Sequence, residues 1–531
     1  MPLPSDPTAA WPPRALAPVF AKIDEWTAWY AGQPDQLATV YDRTRPTNRP
    51  AQYRGGLLGK AARWWWGEPI PDGERRAKLH IPLAADIAQT SARLLFSEPP
   101  TLTASNKDTQ SRLDELVDDG AHATFLGAAE VGAAKGGTYL RIVWDRSLRP
   151  RPWISRVDAA AAVPEFRWGV LTALTVWKVL EHSNNTVVRY LERHEPGVIW
   201  HGVYSGTPDQ LGALVDVGGW PDTSWLKSME GVAWAGKAAA VATVPGRLTA
   251  VYVPNVTPSR IWADLPQAAD LGRSDYDGVE GLLDALDETW SSLMRDLRLG
   301  VARLYVPDQY LTSLGPGKGA AFDTAREILV GLSGQLGDTT GLNMAFFQPS
   351  IRVEEHLRIG EQLTRTIVET GGYSAQSFGM DDGNAITATE VGARQRESFM
   401  GRDAKIMHWR PGLGEILETL LMVDAAVFGS SVTPEVPQID FGDTVSEDPE
   451  SQARTLQLLE AAAAISTWMK VKTLHPDWED RDVLTEVNRI QGDASRAGGR
   501  DPDLVLAGLA GQQPPPASDT GQQPPGGQAQ E

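Results

Sequence analysis

The segment Ile351–Pro411 limits what this chain can fold into more than any other. Val353, Leu357, Leu363 and Ile367 recur at roughly helical spacing, which predicts a first helix. Glu354 with Arg358, and Glu361 with Arg365, stand four residues apart in the favourable order on it. Gly371–Ile386 (GGYSAQSFGMDDGNAI) follows, sixteen residues with four glycines. A second helix is expected from Thr387, because Thr387 and Glu390 form a capping-box pattern that satisfies free backbone N–H groups. It should reach Trp409, and Pro411, which has no N–H, favours a kink or a fresh start there. A structureless loop this long between two strong helices is uncommon in a compact domain and is generally functional where it occurs.

The bulk numbers exclude several classes. A chain of 531 residues is too long for one hydrophobic core, so roughly two to four domains are expected. There is no cysteine, which removes disulfides, thiol catalysis and cysteine zinc sites. The N-terminus has no basic segment followed by an apolar run, so no signal peptide is expected, and no run is long enough for a membrane span. Net charge is −19, opposite to that of a protein gripping nucleic acid along its surface. Nucleic acid is then either irrelevant or something that must slide without sticking. The nineteen tryptophans are expected as core and interface anchors, with carbohydrate stacking the alternative.

Along the chain, Phe20, Ile23, Trp26, Trp29 and Tyr30 keep helical spacing. Trp64-Trp65-Trp66 cannot all face one core, so at least one should meet another segment or a subunit. Helices are expected at 87–96, stopped by Pro99-Pro100, and at about 109–119 and 123–134, and Thr138–Trp144 alternates as a strand. Short runs at 174–180, 187–193, 198–204 and 248–253 predict strands of a mixed sheet.

A long helix is then expected over 276–299. One face carries Val279, Leu282, Leu283, Leu286, Trp290, Leu293, Met294 and Leu297. Another carries Asp277, Glu280, Asp284, Asp287 and Glu288 at i+3/i+4 spacing, for which a solvated stripe is the plain explanation. Residues 301–350 read as a small α/β module, with strands Val301–Val306 and Asn343–Gln348, a turn at Gly315–Gly319 and a helix over Ala321–Leu332. Two long helices, 276–299 and 352–370, thus bracket a compact module like a stalk with a knob. Further helices are expected at 413–427, from Asp448-Pro449-Glu450 with Leu456, Leu459, Ala463 and Trp468 on one face, and at 479–490, with 434–441 extended. From Asp501 onward Gln, Pro and Gly dominate, and such a tail cannot bury enough surface to fold.

Catalytic motifs fail one by one. GPGKG has Thr312 and Gly319 where a phosphate loop needs Gly and Ser or Thr. Asp440-Phe441-Gly442 has no preceding H-R-D, and Asp275-Tyr276-Asp277-Gly278 lacks the other ligands of a calcium loop. His194-Glu195 and His201 could meet on neighbouring strands, with a structural role expected. What remains is mechanical. Copies packed side by side would bring apolar stalk faces together and line a shared channel with carboxylates, which repel phosphate.

Several segments resemble portal proteins of the tailed double-stranded-DNA bacteriophages, in the version found in phages of actinobacteria. They include LHIPLAADIAQTSARLLFSEPP (79–100), EVGAAKGGTYLRIVWD (130–145), AVPEFRWG (162–169), LERHEPG (191–197) and YVPN (252–255). Most telling are GRSDYDGVEGLLDALDETWSSLMRDLRLG (272–300), FQPSIRVEEH (347–356) and AITATEVGARQRES (385–398). The resemblance implies an α+β portal fold, mostly helical, with a mixed β wing. It assigns residues 1–272 to the wing, 273–300 to stem helix 1, 301–350 to an α/β clip and 351–370 to stem helix 2. Residues 371–386 become a tunnel loop, 387–447 a wing helix and return, 448–497 a helical crown and 498–531 a disordered tail.

Implied too is a homo-oligomeric ring of about twelve subunits at one capsid vertex, assembled in the host cytoplasm. Double-stranded DNA would enter through it in packaging and leave in ejection. Its partners would be the large terminase or packaging motor, a head-completion adaptor, and the major capsid and scaffolding proteins. No enzymatic activity, cofactor, metal or membrane is implied. DNA would face Gly371, Gly372, Tyr373, Gln376, Ser377, Asp381, Asp382 and Asn384, a loop without Lys or Arg. The acidic stripe Asp277, Glu280, Asp284, Asp287 and Glu288 would line the channel. The alternatives are a virion adaptor without a channel, or a Trp-rich hydrolase.

Overall fold

A computed structural model describes residues 3–44, 78–229, 231–299, 303–305, 312–313, 320–321, 345–347, 352–380, 388–442, 449–475 and 478–498. Trp64-Trp65-Trp66, the Gly315–Gly319 turn, the helix expected at 321–332 and the tail lie outside them. The chain divides into two units, Met1–Thr444 and Val445–Glu531.

The first unit begins with helices α1 (Ala17–Ala31), α2 (Pro34–Thr44), α3 (Leu83–Phe96), α4 (Lys107–Asp118) and α5 (Ala121–Lys135). Ala84, Ala88 and Ala92 line one face of α3, and Ala128, Ala129 and Ala133 line α5, all buried. Small residues at this spacing let the two helices pack closely. Asn106 caps α4, its side chain accepting from the Asp108 and Thr109 N–H groups.

The fold is α+β as expected, but the strand pairing differs from the mixed sheet read in the sequence. β4 (Ala162–Arg167), β5 (Val170–Ser183), β6 (Thr186–Glu195), β7 (Val198–Gly206), β10 (Ala238–Ala242) and β9 (Val232–Ala235) lie side by side in that order, with β8 (Ala213–Val215) on β7. A second sheet runs β11 (Ala250–Pro254), β2 (Gly137–Val143), β3 (Trp153–Val157). Every ladder among the described residues is antiparallel. The reason is connection length: two-residue turns such as Trp168-Gly169, Asn184-Asn185 and Pro196-Gly197 join only antiparallel strands, whereas parallel ones need a crossover.

Helix α6 (Glu280–Leu299) and helix α7 (Val353–Thr370) pack against each other. Trp290 of α6 lies over Gly360 of α7, and Asp296 pairs with His356 at 3.3 Å. Between them β12 (Arg303–Tyr305) pairs with β15 (Ala345–Phe347), and β13 (Thr312–Ser313) with β14 (Ala320–Ala321). The chain between α6 and α7 therefore leaves and returns through one ladder. The apolar face of α6 does not wait for a neighbouring copy, because Val279, Leu283, Leu286 and Leu293 are buried within the chain.

Helix α8 (Ala388–Phe428) continues through Pro411, so no new helix starts there. One missing hydrogen bond is outweighed by the face around it. Ile406, Trp409, Leu413, Ile416, Leu417, Leu420 and Val423 are all buried, each worth about 1.5–3 kcal/mol for a large side chain. Trp409 meets the Phe96 ring edge-on at 4.9 Å. Asp424 near the far end pairs with buried Arg112 of α4 at 2.6 Å. The strand β16 (Gln438–Asp440) then pairs with β1 (Thr101–Thr103).

The second unit contains α9 (Pro449–Ala461), α10 (Thr467–Leu474) and α11 (Asp480–Gly498). Val471, Val483 and Val487 form its small core with Trp468 and Trp478 against them. The expected single face through Trp468 is split, since α9 ends at Ala461 and Ala463 takes a left-handed turn, φ 51°.

Candidate functional site

The acidic stripe on α6 is not a free wall. The N-terminal helices and the strand-like approach to α3 are packed against it. Asp287 is 1% exposed and accepts from the Tyr41 hydroxyl at 2.6 Å, the Ile81 N–H at 2.9 Å and His80 Nδ1 at 2.9 Å. Asp284 is 4% exposed and binds Lys78 Nζ at 2.5 Å, and Glu288 binds the same ammonium at 3.2 Å. Glu280 binds Lys22 at 2.7 Å and the Trp26 indole N–H at 3.0 Å. Burial and the nearby Glu280 raise the Asp277 carboxyl above its ordinary value. Burial, reinforced by Asp287, holds the Tyr41 hydroxyl far above its usual range, so it donates rather than ionises. The channel-lining assignment is thus corrected for Asp284 and Asp287. Asp284 is neutralised by Lys78 and Asp287 is held by hydrogen bonds inside the chain, so the stripe braces α6 on the N-terminal segments. Exposed carboxylates of the stem stand instead on α7, at Glu354, Glu355, Glu361 and Glu369.

The described part of the segment after α7, residues 371–380, is more ordered than the structureless loop expected from the sequence. Gly371 closes α7, and Gly372 takes φ 86°, a conformation open to glycine and strained for other residues. That turn drives Tyr373 inward, where it is 3% exposed, and Ala375–Phe378 form a 3-10 turn. The Tyr373 hydroxyl donates to Asp275 Oδ2 at 2.6 Å. Lys405 of α8 donates to both Asp275 oxygens at 2.9 and 2.7 Å and to Ser91 of α3 at 2.6 Å. Asn255 Nδ2 donates to Asp275 Oδ1 at 2.8 Å. Ser374 and Ser377 bond Ser398 of α8 at 2.8 and 2.9 Å. Burial pushes the Lys405 ammonium down despite Asp275 beside it, and burial with Asp275 pushes the Tyr373 hydroxyl well up.

The DNA-facing reading is therefore corrected for Tyr373, whose polar atom is consumed by this latch. Gln376 and Ser377 are half-buried beside it, and Asp381, Asp382 and Asn384 lie outside the described residues. The latch residues Asp275, Lys405, Ser91 and Asn255 were not singled out in the sequence as partners. They stand in four separate segments, and no spacing rule links them.

A second polar cluster lies across β2, β6 and β7. His194 Nε2 meets Glu192 at 2.8 Å, Arg141 pairs with Glu192 at 2.6 Å, and the Tyr190 hydroxyl bonds His201 Nδ1 at 2.7 Å. Burial lowers His201 to about 4, whereas Glu192 is held well below the carboxylate range by Arg141 and His194 against the opposing effect of burial. His194 bonds Glu192, which stands opposite His201 in the β6–β7 register, while His201 itself bonds Tyr190 and Glu195 pairs with Arg193 at 2.8 Å. Above this floor opens a cleft of about 590 Å³ walled by Trp144, Trp153 and Trp225. Among the described residues no cluster of His, Asp and Glu has the arrangement of a metal site, and no helix is long and apolar enough to cross a membrane.

No family model matches the sequence, and no curated protein matches it. Among solved structures the chain is similar to one described as "Neck of native GTA particle computed with C12 symmetry". The identity is 12%, the match covers 74% of this chain and 89% of that one, and the TM-score is 0.34. The functional reading below rests on this chain's own geometry.

Proposed function

We propose that the chain is a structural subunit of a phage portal ring, a non-enzymatic conduit for DNA at one capsid vertex. The observation that carries the reading is the stem: α6 and α7 pack together, rooted in one wing body, and the chain between them departs and returns through the β12–β15 ladder. This supports the helix–knob–helix order expected from the sequence. The buttressed carboxylates of α6 support it mechanically, since Tyr41, Lys78, His80 and Trp26 brace the stem from the wing side. In this reading the repulsion of phosphate falls to the exposed carboxylates of α7. Double-stranded DNA passes through the ring. The module at 301–350 meets the packaging motor and head-completion proteins, while the latched Tyr373 segment holds the loop after the stem to the wing.

The test is the mass of purified protein in solution. Mass photometry is expected to show one dominant closed species of about twelve chains, with few intermediates. A monomer or an open size ladder up to micromolar concentration counts against the ring.

A further inference from the structure

The β4–β5 hairpin ends in an exposed aromatic. Trp168 is 94% exposed, and Val170 beside it is 64% exposed. Trp168 takes φ 53°, a backbone region that bulky residues rarely occupy. The turn thus places a large apolar side chain in solvent at some conformational cost. Arg167 next to it is exposed and has no ion pair among the described residues. Such a residue gains most when it is covered, as buried tryptophan anchors dominate interface energetics.

The same chain carries a cleft of matching chemistry that no described residue fills. The cleft of about 590 Å³ is within the size range of ligand pockets, and three tryptophans wall it. Its rim holds Leu148, which is exposed, and Asp145, opposite in charge to Arg167. Its floor is fixed by the Arg141–Glu192 pair. The hairpin tip cannot fill the cleft of its own chain. Glu192 on the floor is in register with Val176, six residues along β5 from Val170, which is about 20 Å of strand. The tip is paired to β5 along its length and cannot fold back.

We propose that Trp168 of one copy seats in the tryptophan-walled cleft of the next copy, making a head-to-tail contact around the ring. Two different patches on each subunit are what a heterologous, ring-closing interface requires. The inference rests on the ring reading but names a contact that the ring could form without.

The chain has no cysteine, so a directed crosslink has no background. Arg167→Cys chains are mixed with Leu148→Cys chains and treated with a short bismaleimide, leaving Trp168 intact. A crosslinked pair joining one chain of each kind is the expected product. In parallel, Trp168→Ser is expected to raise the concentration for half-assembly at least about tenfold. Closed rings with no mixed crosslink, or unchanged assembly of Trp168→Ser, overturn the contact and leave the ring reading standing. Mixed crosslinks without closed rings keep the contact and remove the ring. Neither rings nor crosslinks remove both.

Discussion

Replacing Lys405 with Met isolates what the latch at the stem base does. The ammonium donates to both oxygens of Asp275, at 2.9 and 2.7 Å, and to Ser91 at 2.6 Å. Without it a buried carboxylate keeps, among the described residues, two neutral donors, the Tyr373 hydroxyl at 2.6 Å and Asn255 Nδ2 at 2.8 Å. Removing one member of a buried pair costs about 3–5 kcal/mol. Burial lowers the Lys405 pKa even with Asp275 in contact, so the attraction does not offset desolvation. The pair then contributes position more than net stability. Combining Lys405→Met with Asp275→Asn should accordingly cost less than the sum of the single changes, by at least about 2 kcal/mol. In Asp275→Asn alone the folded lysine sheds its proton before the unfolded one does. Stability of that variant should rise with pH between the lowered pKa and the ordinary 10.5. Urea unfolding followed by tryptophan fluorescence measures each variant. A single-change cost below about 1 kcal/mol, or strict additivity, would refute the latch.

Asp287→Ala strands the Tyr41 hydroxyl, His80 and the Ile81 N–H, and should cost about 3 kcal/mol in thermal unfolding, while Glu288→Ala, part-exposed, costs under about 1 kcal/mol. Asp284→Lys should destabilise the wing–stem junction by setting two ammonium groups together at Lys78, a loss seen in unfolding before any effect on DNA passage. Gly372→Val, at φ 86°, should cost about 1–3 kcal/mol, while Gly371→Ala, at φ −69°, costs no more than about 1 kcal/mol, both read by melting. Burial lowers His201 from 6.5 to about 4, so below pH 6.5 the unfolded chain binds a proton the fold refuses. Stability should fall by up to about 3 kcal/mol from pH 6.5 toward 4, and His201→Gln should flatten that slope above pH 4.5, where Glu192 is charged in both states.

The helices α6 and α7 and the strands β5–β7 were readable because their signals are local. Val279, Leu283, Leu286 and Trp290 keep helical spacing over several turns, and the β5–β7 runs are β-branched between turn residues. The start of α6 moved from Tyr276 to Glu280 because Tyr276 is buried, its hydroxyl donating to the Ala84 carbonyl at 2.6 Å. At Pro411 no new helix starts, because the buried face of α8 carries the helix through the local breaker. The roles of the acidic stripe and of Tyr373 were illegible. Their partners lie far off in sequence, with Lys78 206 residues from Asp284 and Tyr373 98 residues from Asp275. Spacing identifies a face, but not what covers it.

Electron microscopy of the purified full chain tests the central claim most directly. Closed rings with a central hole and the α6–α7 stems around it are the predicted result. Monomers, open filaments, or rings whose stems point away from the hole would contradict it.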